Sequence, residues 1–131
     1  MEERFGKDTT ISLATAKGQV PYVRTGNTFY EDRAFYVLTY GLSNKVEQIK
    51  ENSAVAICGD WFTAHGKGVV LGSFRNFENR KIAERMETVF SEWIHNGHND
   101  LEDSNTVILR LDLTEGVLFS HGTRYDIDFT K

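Results

Sequence analysis

The segment "TYGLSNK", residues 39–45, places polar side chains where a strand is expected to lead into a helix. Thr39, Ser43, Asn44 and Lys45 can all donate hydrogen bonds to oxygen. The first turn of a helix has unpaired N–H groups and partial positive charge, so a lysine there costs about 0.3–1 kcal/mol unless an anion is bound. Four such donors within seven residues would form a phosphate cradle. The alternative is that Ser43 only caps the helix while Lys45 extends into water.

A second cation comes from "GQVPYVR", residues 18–24, which is typical of a turn followed by a hairpin strand that ends at Arg24. A guanidinium can bind an oxyanion through two parallel N–H donors or hydrogen-bond a planar heterocycle. Alone, Arg24 would be an ordinary surface arginine. Beside residues 39–45, it would give the phosphate site a second positive charge.

The elements that must position these residues are mostly short strands. Residues 9–16 alternate and are β-branched, and residues 20–25 follow a "KGQ" turn, with Pro21 suited to an edge strand. About seven short strands in one small domain favour a barrel or a sandwich, because closure removes unpaired edges. The other strands are predicted at 34–39, which is apolar throughout, and at 53–58, 66–72, 106–113, 116–120 and 124–129, with 59–65 as a connection.

Two helices are predicted. The first spans roughly Asn44–Glu51, begins after Ser43 and stops at Asn52. The second covers about residues 77–95 and is ended by "NG" at 96–97. Its apolar stripe is expected to pack against the barrel, and the alternative is a share in a subunit interface. The stripe comprises Ile82, Met86, Val89, Phe90, Trp93 and Ile94.

Composition limits the classes of function. The 131 residues suit a single domain, 1–131, and 40% of them are hydrophobic, enough for a sizeable core. A net charge of −4 without a basic stripe argues against a nucleic-acid partner. The single cysteine, Cys58, is expected to be a small core residue and fits a reducing compartment. With no signal peptide, no membrane-length apolar run and only scattered histidines, we expect a cytoplasmic protein without a metal site.

Four segments resemble, in order, the pyridoxamine 5′-phosphate oxidase-like family, whose members are FMN-binding split barrels. They are "ISLAT" at 11–15, "GQVPYVR" at 18–24, "AFYVLTYGLSNKVEQIKENSAVAI" at 34–57 and "GKGVVL" at 66–71. The resemblance covers roughly residues 9–72. It implies a mainly β fold with two helices, in which six to seven antiparallel strands form the split barrel, and it implies FMN as the cofactor.

The resemblance also assigns the phosphate site residue by residue. Thr39, Ser43 and Lys45 match the family's threonine, serine and lysine that surround the FMN phosphate and ribityl chain. Arg24 matches an arginine of the preceding strand that also reaches the cofactor. The family usually forms two-fold homodimers with FMN in the cleft between the barrels, so the same assembly is expected.

Three further positions follow from the resemblance. Thr25 and Leu38 would contact the isoalloxazine ring through backbone or side chain. Trp61 falls near the next cofactor-facing strand, and the alternative is a tryptophan that caps the core at a hairpin. Asn44 departs from the pattern, because the oxidases proper have arginine there.

The chain also lacks the C-terminal arginine and histidine segment that holds the substrate phosphate in the true oxidases. We therefore expect a relative of the smaller general-stress proteins and flavin reductases, with an unassigned substrate. The leading hypothesis is an FMN-dependent oxidoreductase. One alternative is a non-catalytic protein that stores or senses a flavin or another phosphorylated ligand, and another is a relative that uses a deazaflavin or haem.

Overall fold

Seven antiparallel strands and three α-helices make up residues 1–95 and 100–131, the part of the chain that the computed structural model describes. In chain order they are α1 (Glu2–Phe5), β1 (Thr9–Lys17), β2 (Val20–Glu31), β3 (Ala34–Tyr40), α2 (Asn44–Glu51), β4 (Ala54–Gly59), β5 (Phe62–Ser73), a 3₁₀ helix (Phe77–Asn79), α3 (Arg80–Val89), β6 (Thr106–Ser120) and β7 (Thr123–Asp128).

The strands form one sheet in the order β3-β2-β1-β4-β5-β6-β7, and β3 also pairs with β6. Six strands therefore close into a barrel, and β7 continues the sheet beyond β6. The prediction of a mainly β split barrel with six to seven antiparallel strands is confirmed. The short helix α1 is an addition that the sequence analysis missed, because its charged residues conceal Phe5, which is fully buried.

The barrel interior is filled by inward-facing aliphatic and aromatic side chains. Phe5, Phe35 and Phe62 pack together, with ring centroids 5.4 to 6.1 Å apart. Ile11 and Leu13 alternate with exposed or half-buried neighbours along β1, as a strand with one buried face requires. This alternation fixes which side of each strand faces the core.

A second hydrophobic cluster lies between α3 and the outer surface of the barrel. It includes Phe29, Met86, Phe90 and Ile108, which are all fully buried. The predicted packing of the second helix against the barrel is confirmed. The α-helix itself is shorter than predicted, because it ends at Val89 and residues 90–95 form turns. The predicted stop at 96–97 lies outside the described residues.

Three predictions about the strands and one about Cys58 were wrong. Strand β5 already begins at Phe62, so Asp60 and Trp61 alone connect β4 to β5, in place of the predicted connection at 59–65. Residues 106–113 and 116–120 belong to the single strand β6, and β2 continues to Glu31. Cys58 is exposed, because its partners on β1 and β5, Ser12 and Thr63, also point outward.

Helix α2 lies against β1 and β5 through its buried residues Val46 and Ile49. A Cβ atom on Gly68 of β5 would lie 2.7 Å from Cγ2 of Ile49, so glycine is what permits this close approach. The predicted bounds of α2 are confirmed. The first turn of the helix is thereby held beside the strands that carry Arg24 and Thr39. Among the described residues, no helix is both long enough and apolar enough to cross a membrane.

Candidate functional site

Two cations meet where β3 leads into α2. Arg24 pairs with Leu13 across β1 and β2, so its side chain lies on the inner side of the sheet, opposite to its exposed neighbours Val23 and Thr25. Lys45 lies in the first turn of α2 and donates a hydrogen bond to Oγ1 of Thr39. Both cationic side chains are half-buried. The fold therefore brings side chains from β2, β3 and α2 together at one site.

The electrostatics of this place are unusual for a protein surface. Burial lowers the pKa of Lys45 below its ordinary value, and the nearby charge of Arg24 lowers this pKa further. Burial also lowers the pKa of Arg24, although a guanidinium stays protonated at physiological pH. Within residues 1–95 and 100–131, neither side chain forms an ion pair with a carboxylate. The site therefore has uncompensated positive charge, which favours an anion.

Ser43 occupies the N-cap position of α2, as predicted, but its side chain makes no capping hydrogen bond. Its Oγ atom is buried and has no hydrogen-bond partner in the described structure. A buried hydroxyl without a partner costs free energy that a bound acceptor would recover. The alternative in which Ser43 caps the helix and Lys45 extends into water does not agree with this geometry. Asn44, the first helical residue, is exposed.

The guanidinium of Arg24 donates hydrogen bonds to two buried polar residues. Its Nη1 donates to Oγ1 of Thr15 at 2.7 Å, and its Nη2 donates to Oε1 of Gln48 at 3.4 Å. Thr15 in turn donates to Gln48, with 2.5 Å between the oxygens. Thr15 and Gln48 are only 2% and 7% exposed, so this arrangement is shielded from water.

Sequence reasoning missed Thr15 and Gln48, although the sequence contains a signal for each. Thr15 continues the inward-facing series that includes Leu13 on β1, which makes it a polar residue at a core position. Gln48 follows Lys45 by three positions, and residues at that spacing share one face of a helix. A polar residue at a position that should be apolar was the available clue.

The side chains of three other predicted site residues, Thr25, Leu38 and Trp61, do not point into this cluster. Thr25 is on the outward face of β2. The side chain of Leu38 packs against the hydrophobic cluster under α3. Trp61 sits in the β4–β5 turn at a φ of 51°, is 73% exposed and contacts Phe119 edge-on, with ring centroids 6.4 Å apart. Trp61 therefore neither caps the core nor joins Arg24 and Lys45.

The described residues contain no group of three or more His, Cys, Asp or Glu side chains arranged to hold a metal ion. The donors at the start of α2 are instead N–H and O–H groups with two cations, which suit a phosphate or a carboxylate. This difference in donor chemistry separates the candidate site from a metal centre.

Comparison of the fold with solved structures identifies several similar proteins. A NimC/NimA family protein from Clostridium acetobutylicum superposes with a TM-score of 0.73 at 21% identity, covering 95% of this chain and 87% of that one. An FAD-binding protein from Mesorhizobium loti gives 0.70 at 17% identity, with 85% of each chain covered. This chain has their fold. No protein-family model and no curated protein matches the sequence.

A third similar structure bears on the resemblance drawn from the sequence. It is a Clostridium acetobutylicum protein described as related to general stress protein 26 and as belonging to the pyridoxinephosphate oxidase family. It has a TM-score of 0.61 at 14% identity and covers 92% of this chain and 85% of that one. The resemblance recognised from residues 9–72 is confirmed at the level of the fold, across nearly the whole chain.

Proposed function

We propose that this protein binds FMN, with the flavin phosphate at the start of α2, and that it is an oxidoreductase of the pyridoxamine 5′-phosphate oxidase-like group. The observation that carries the proposal is the pair of half-buried cations, Arg24 and Lys45, beside the unpartnered hydroxyl of Ser43. A phosphate monoester supplies negative charge for the cations and acceptor oxygens for the hydroxyl and for the backbone amides of the first helical turn.

Each residue has a distinct task in this proposal. Lys45 and Arg24 neutralise the phosphate, Ser43 donates to it, and Thr39 holds the Lys45 ammonium in place while facing the ribityl chain. Thr25 and the backbone of Leu38, on strands β2 and β3, lie beside these groups in sequence and would border the ring. The flavin, when bound, supplies hydride or electron transfer. The protein binds and orients the flavin and limits access to it.

The similar structures support a flavin in general terms. The Mesorhizobium loti protein is described as FAD-binding, and the Clostridium acetobutylicum protein related to general stress protein 26 is placed in the pyridoxinephosphate oxidase family. FMN is favoured here over FAD because its phosphate is a terminal monoester. A monoester carries close to two negative charges at neutral pH, which matches two cations better than a singly charged diester does.

The first test is an FMN titration of the wild-type protein and of the Arg24→Ala, Lys45→Ala double variant. Each charge-assisted contact contributes about 1.5–3 kcal/mol, so the double variant, which loses two contacts, should bind FMN at least about a hundredfold more weakly. The matched control is Lys50→Ala with Arg124→Ala, which removes the same charge from exposed positions. Equal affinity of the two double variants would contradict the phosphate-site assignment, and no binding by the wild type would contradict the flavin proposal.

The test of catalysis uses the flavin-loaded protein under anaerobic conditions. Bleaching of the yellow colour by a nicotinamide donor supports an oxidoreductase. A yellow protein that no donor reduces would instead support the non-catalytic storage or sensing function. Absorption bands of a haem or a deazaflavin in the purified protein would identify the third hypothesis.

We also propose that the protein is a homodimer with the flavin in the cleft between two barrels. The outward face of β2, β1 and β4 carries small or apolar side chains, among them Ala14, Ala56 and Val23, which is 72% exposed. Thr25 lies on this same face, one residue from Arg24, so a second barrel packed there would enclose the ring end of the ligand. Val23→Arg should convert a dimer to a monomer in analytical ultracentrifugation. A wild-type monomer would refute the proposal.

A further inference from the structure

The guanidinium of Arg24 is held by the protein along one of its two donor edges. Nη1 and Nη2 donate to Thr15 and Gln48, whose acceptor oxygens lie only 2.5 Å apart and so face the same edge. Nη1 also donates to the backbone carbonyl of Leu13 at 3.3 Å. The end of the fork, where Nη1 and Nη2 lie side by side, is therefore occupied by groups of the protein itself.

The other edge of the same guanidinium has donors to spare. A guanidinium has five N–H donors, and Nε–H lies parallel to one N–H of Nη2 along the side of the fork. In residues 1–95 and 100–131, Nε of Arg24 has no hydrogen-bond acceptor, since each Arg24 hydrogen bond comes from Nη1 or Nη2. The side edge is the geometry that binds two oxygens of a phosphate at once.

The direction of the hydrogen bonds between Thr15 and Gln48 follows from this arrangement. Arg24 can only donate, so the hydroxyl oxygen of Thr15 accepts a hydrogen bond from Arg24. The Thr15 hydroxyl then donates its own hydrogen bond to Gln48. Gln48 must then present its carbonyl oxygen to both Arg24 and Thr15. Since both residues are almost fully buried, water does not replace either acceptor if one is removed. The two side chains act as one acceptor unit with a single orientation.

We propose that Thr15 and Gln48 are positioning residues that hold the end edge of Arg24, so that its Nε and Nη2 side edge is directed at the phosphate of the ligand. This inference rests on the proposed function, because it concerns the same phosphate site. Neither residue contacts the ligand. Each acts through Arg24 by removing the other orientations that the guanidinium would adopt, which lowers the entropy lost on binding.

The test is FMN binding by Thr15→Val, which replaces the hydroxyl with a methyl group of similar size. We expect FMN affinity to fall by about fivefold, a loss in the range of one hydrogen bond, and Thr15→Ser to restore it. Gln48→Met should have an effect similar to that of Thr15→Val. The matched control is Thr28→Val. Thr28 is also a fully buried threonine, but its hydroxyl donates to the backbone carbonyl of Tyr36 and not to a side chain that holds Arg24.

A double-mutant cycle separates positioning from general stability. In the Arg24→Ala background, Thr15→Val should change FMN affinity by less than about twofold, since the group that it positions is gone. Riboflavin, which has no phosphate, should bind wild type and Thr15→Val equally. Thermal unfolding of each variant checks that it is folded.

Each other outcome is decisive. The inference is overturned if Thr15→Val binds FMN as the wild type does, if its loss persists in the Arg24→Ala background, or if riboflavin binding falls equally. A loss with Thr28→Val as large as that with Thr15→Val would also overturn it. A wild-type protein that binds no FMN overturns the proposed function itself. That result differs from a wild-type protein that binds FMN with an affinity that Thr15→Val does not change.

Discussion

The start of α2 and the outer face of β5, β6 and β7 both concentrate charge, but they do so in opposite ways. On the outer face, Arg124 pairs with Asp126 at 3.0 Å and His65 lies 3.6 Å from Glu115, and the side chains are mostly exposed. At the start of α2, Arg24 and Lys45 are half-buried, and within the described chain no carboxylate pairs with them. Basic side chains thus lie beside carboxylates in one region and form an uncompensated cationic site in the other.

The difference has an energetic meaning. Exposed ion pairs contribute little and are tolerated almost anywhere on a surface. Two cations brought together under partial burial oppose folding, since each loses hydration and each repels the other. Such an arrangement is understandable if an anion binds there and reverses the sign of the electrostatic free energy. Four changes test this contrast.

Lys45→Met should have the largest effect. Loss of one charge-assisted contact of about 1.5–3 kcal/mol predicts FMN binding that is about tenfold to a hundredfold weaker. The free protein should be no less stable than the wild type, because the substitution removes a partly buried cation that lies near another. FMN titration checks the predicted affinity, and thermal unfolding checks the predicted stability. Lys50→Met, on an exposed face of the same helix, is the control and should leave binding unchanged.

The pH dependence is the second test. Because the pKa of Lys45 is lowered in the folded protein, Lys45 loses its proton at a lower pH there than in the unfolded chain. FMN affinity should therefore fall as pH rises through the folded pKa of Lys45. The stability of the free protein should rise between the folded and unfolded pKa values, where the unfolded chain binds more protons. Lys45→Met should abolish the slope of FMN affinity and remove the Lys45 contribution to the slope of stability. A wild-type affinity that is flat in alkaline solution would contradict the prediction.

Asn44→Arg should have a smaller effect of opposite sign. A third cation at the exposed first position of α2 should cost the free protein about 0.3–1 kcal/mol and should strengthen FMN binding by a similar amount, about twofold to fivefold. Asn44→Gln, which keeps the amide, is the matched control. Weaker binding by the arginine variant would place the phosphate away from this helix.

Arg124→Ala should have the smallest effect. Its ion pair with Asp126 is exposed, so unfolding free energy should change by less than about 1 kcal/mol and FMN affinity should not change. The measurements are denaturant unfolding and FMN titration. A large loss of FMN binding would mean that the outer face of β7 belongs to the ligand site.

Much of the fold could be predicted from local pattern. The strand bounds of β3 and β4 and the bounds of α2 followed from apolar runs, a capping residue and a stop signal. The β4–β5 connection was misplaced because its turn is tight: Trp61 adopts positive φ, which is rare for a large side chain and leaves no signal in the sequence. The sequence analysis also predicted two strands, 106–113 and 116–120, where the structure has the single strand β6. The strand continues through Glu115 because β6 pairs with β5 before and after that residue and with β7 from that residue onward.

The sequence by itself determined the donors around Lys45, because helix periodicity and capping act over a few residues and bring Ser43, Asn44 and Lys45 to one helix end. Only the tertiary structure decided that Arg24 faces them. That required the pairing of β1 with β2 to place Arg24 on the inner side, and a glycine at 68 to admit α2 against the barrel. The buried support of Thr15 and Gln48 arises from the same packing, since contacts between residues distant in sequence depend on how the barrel closes.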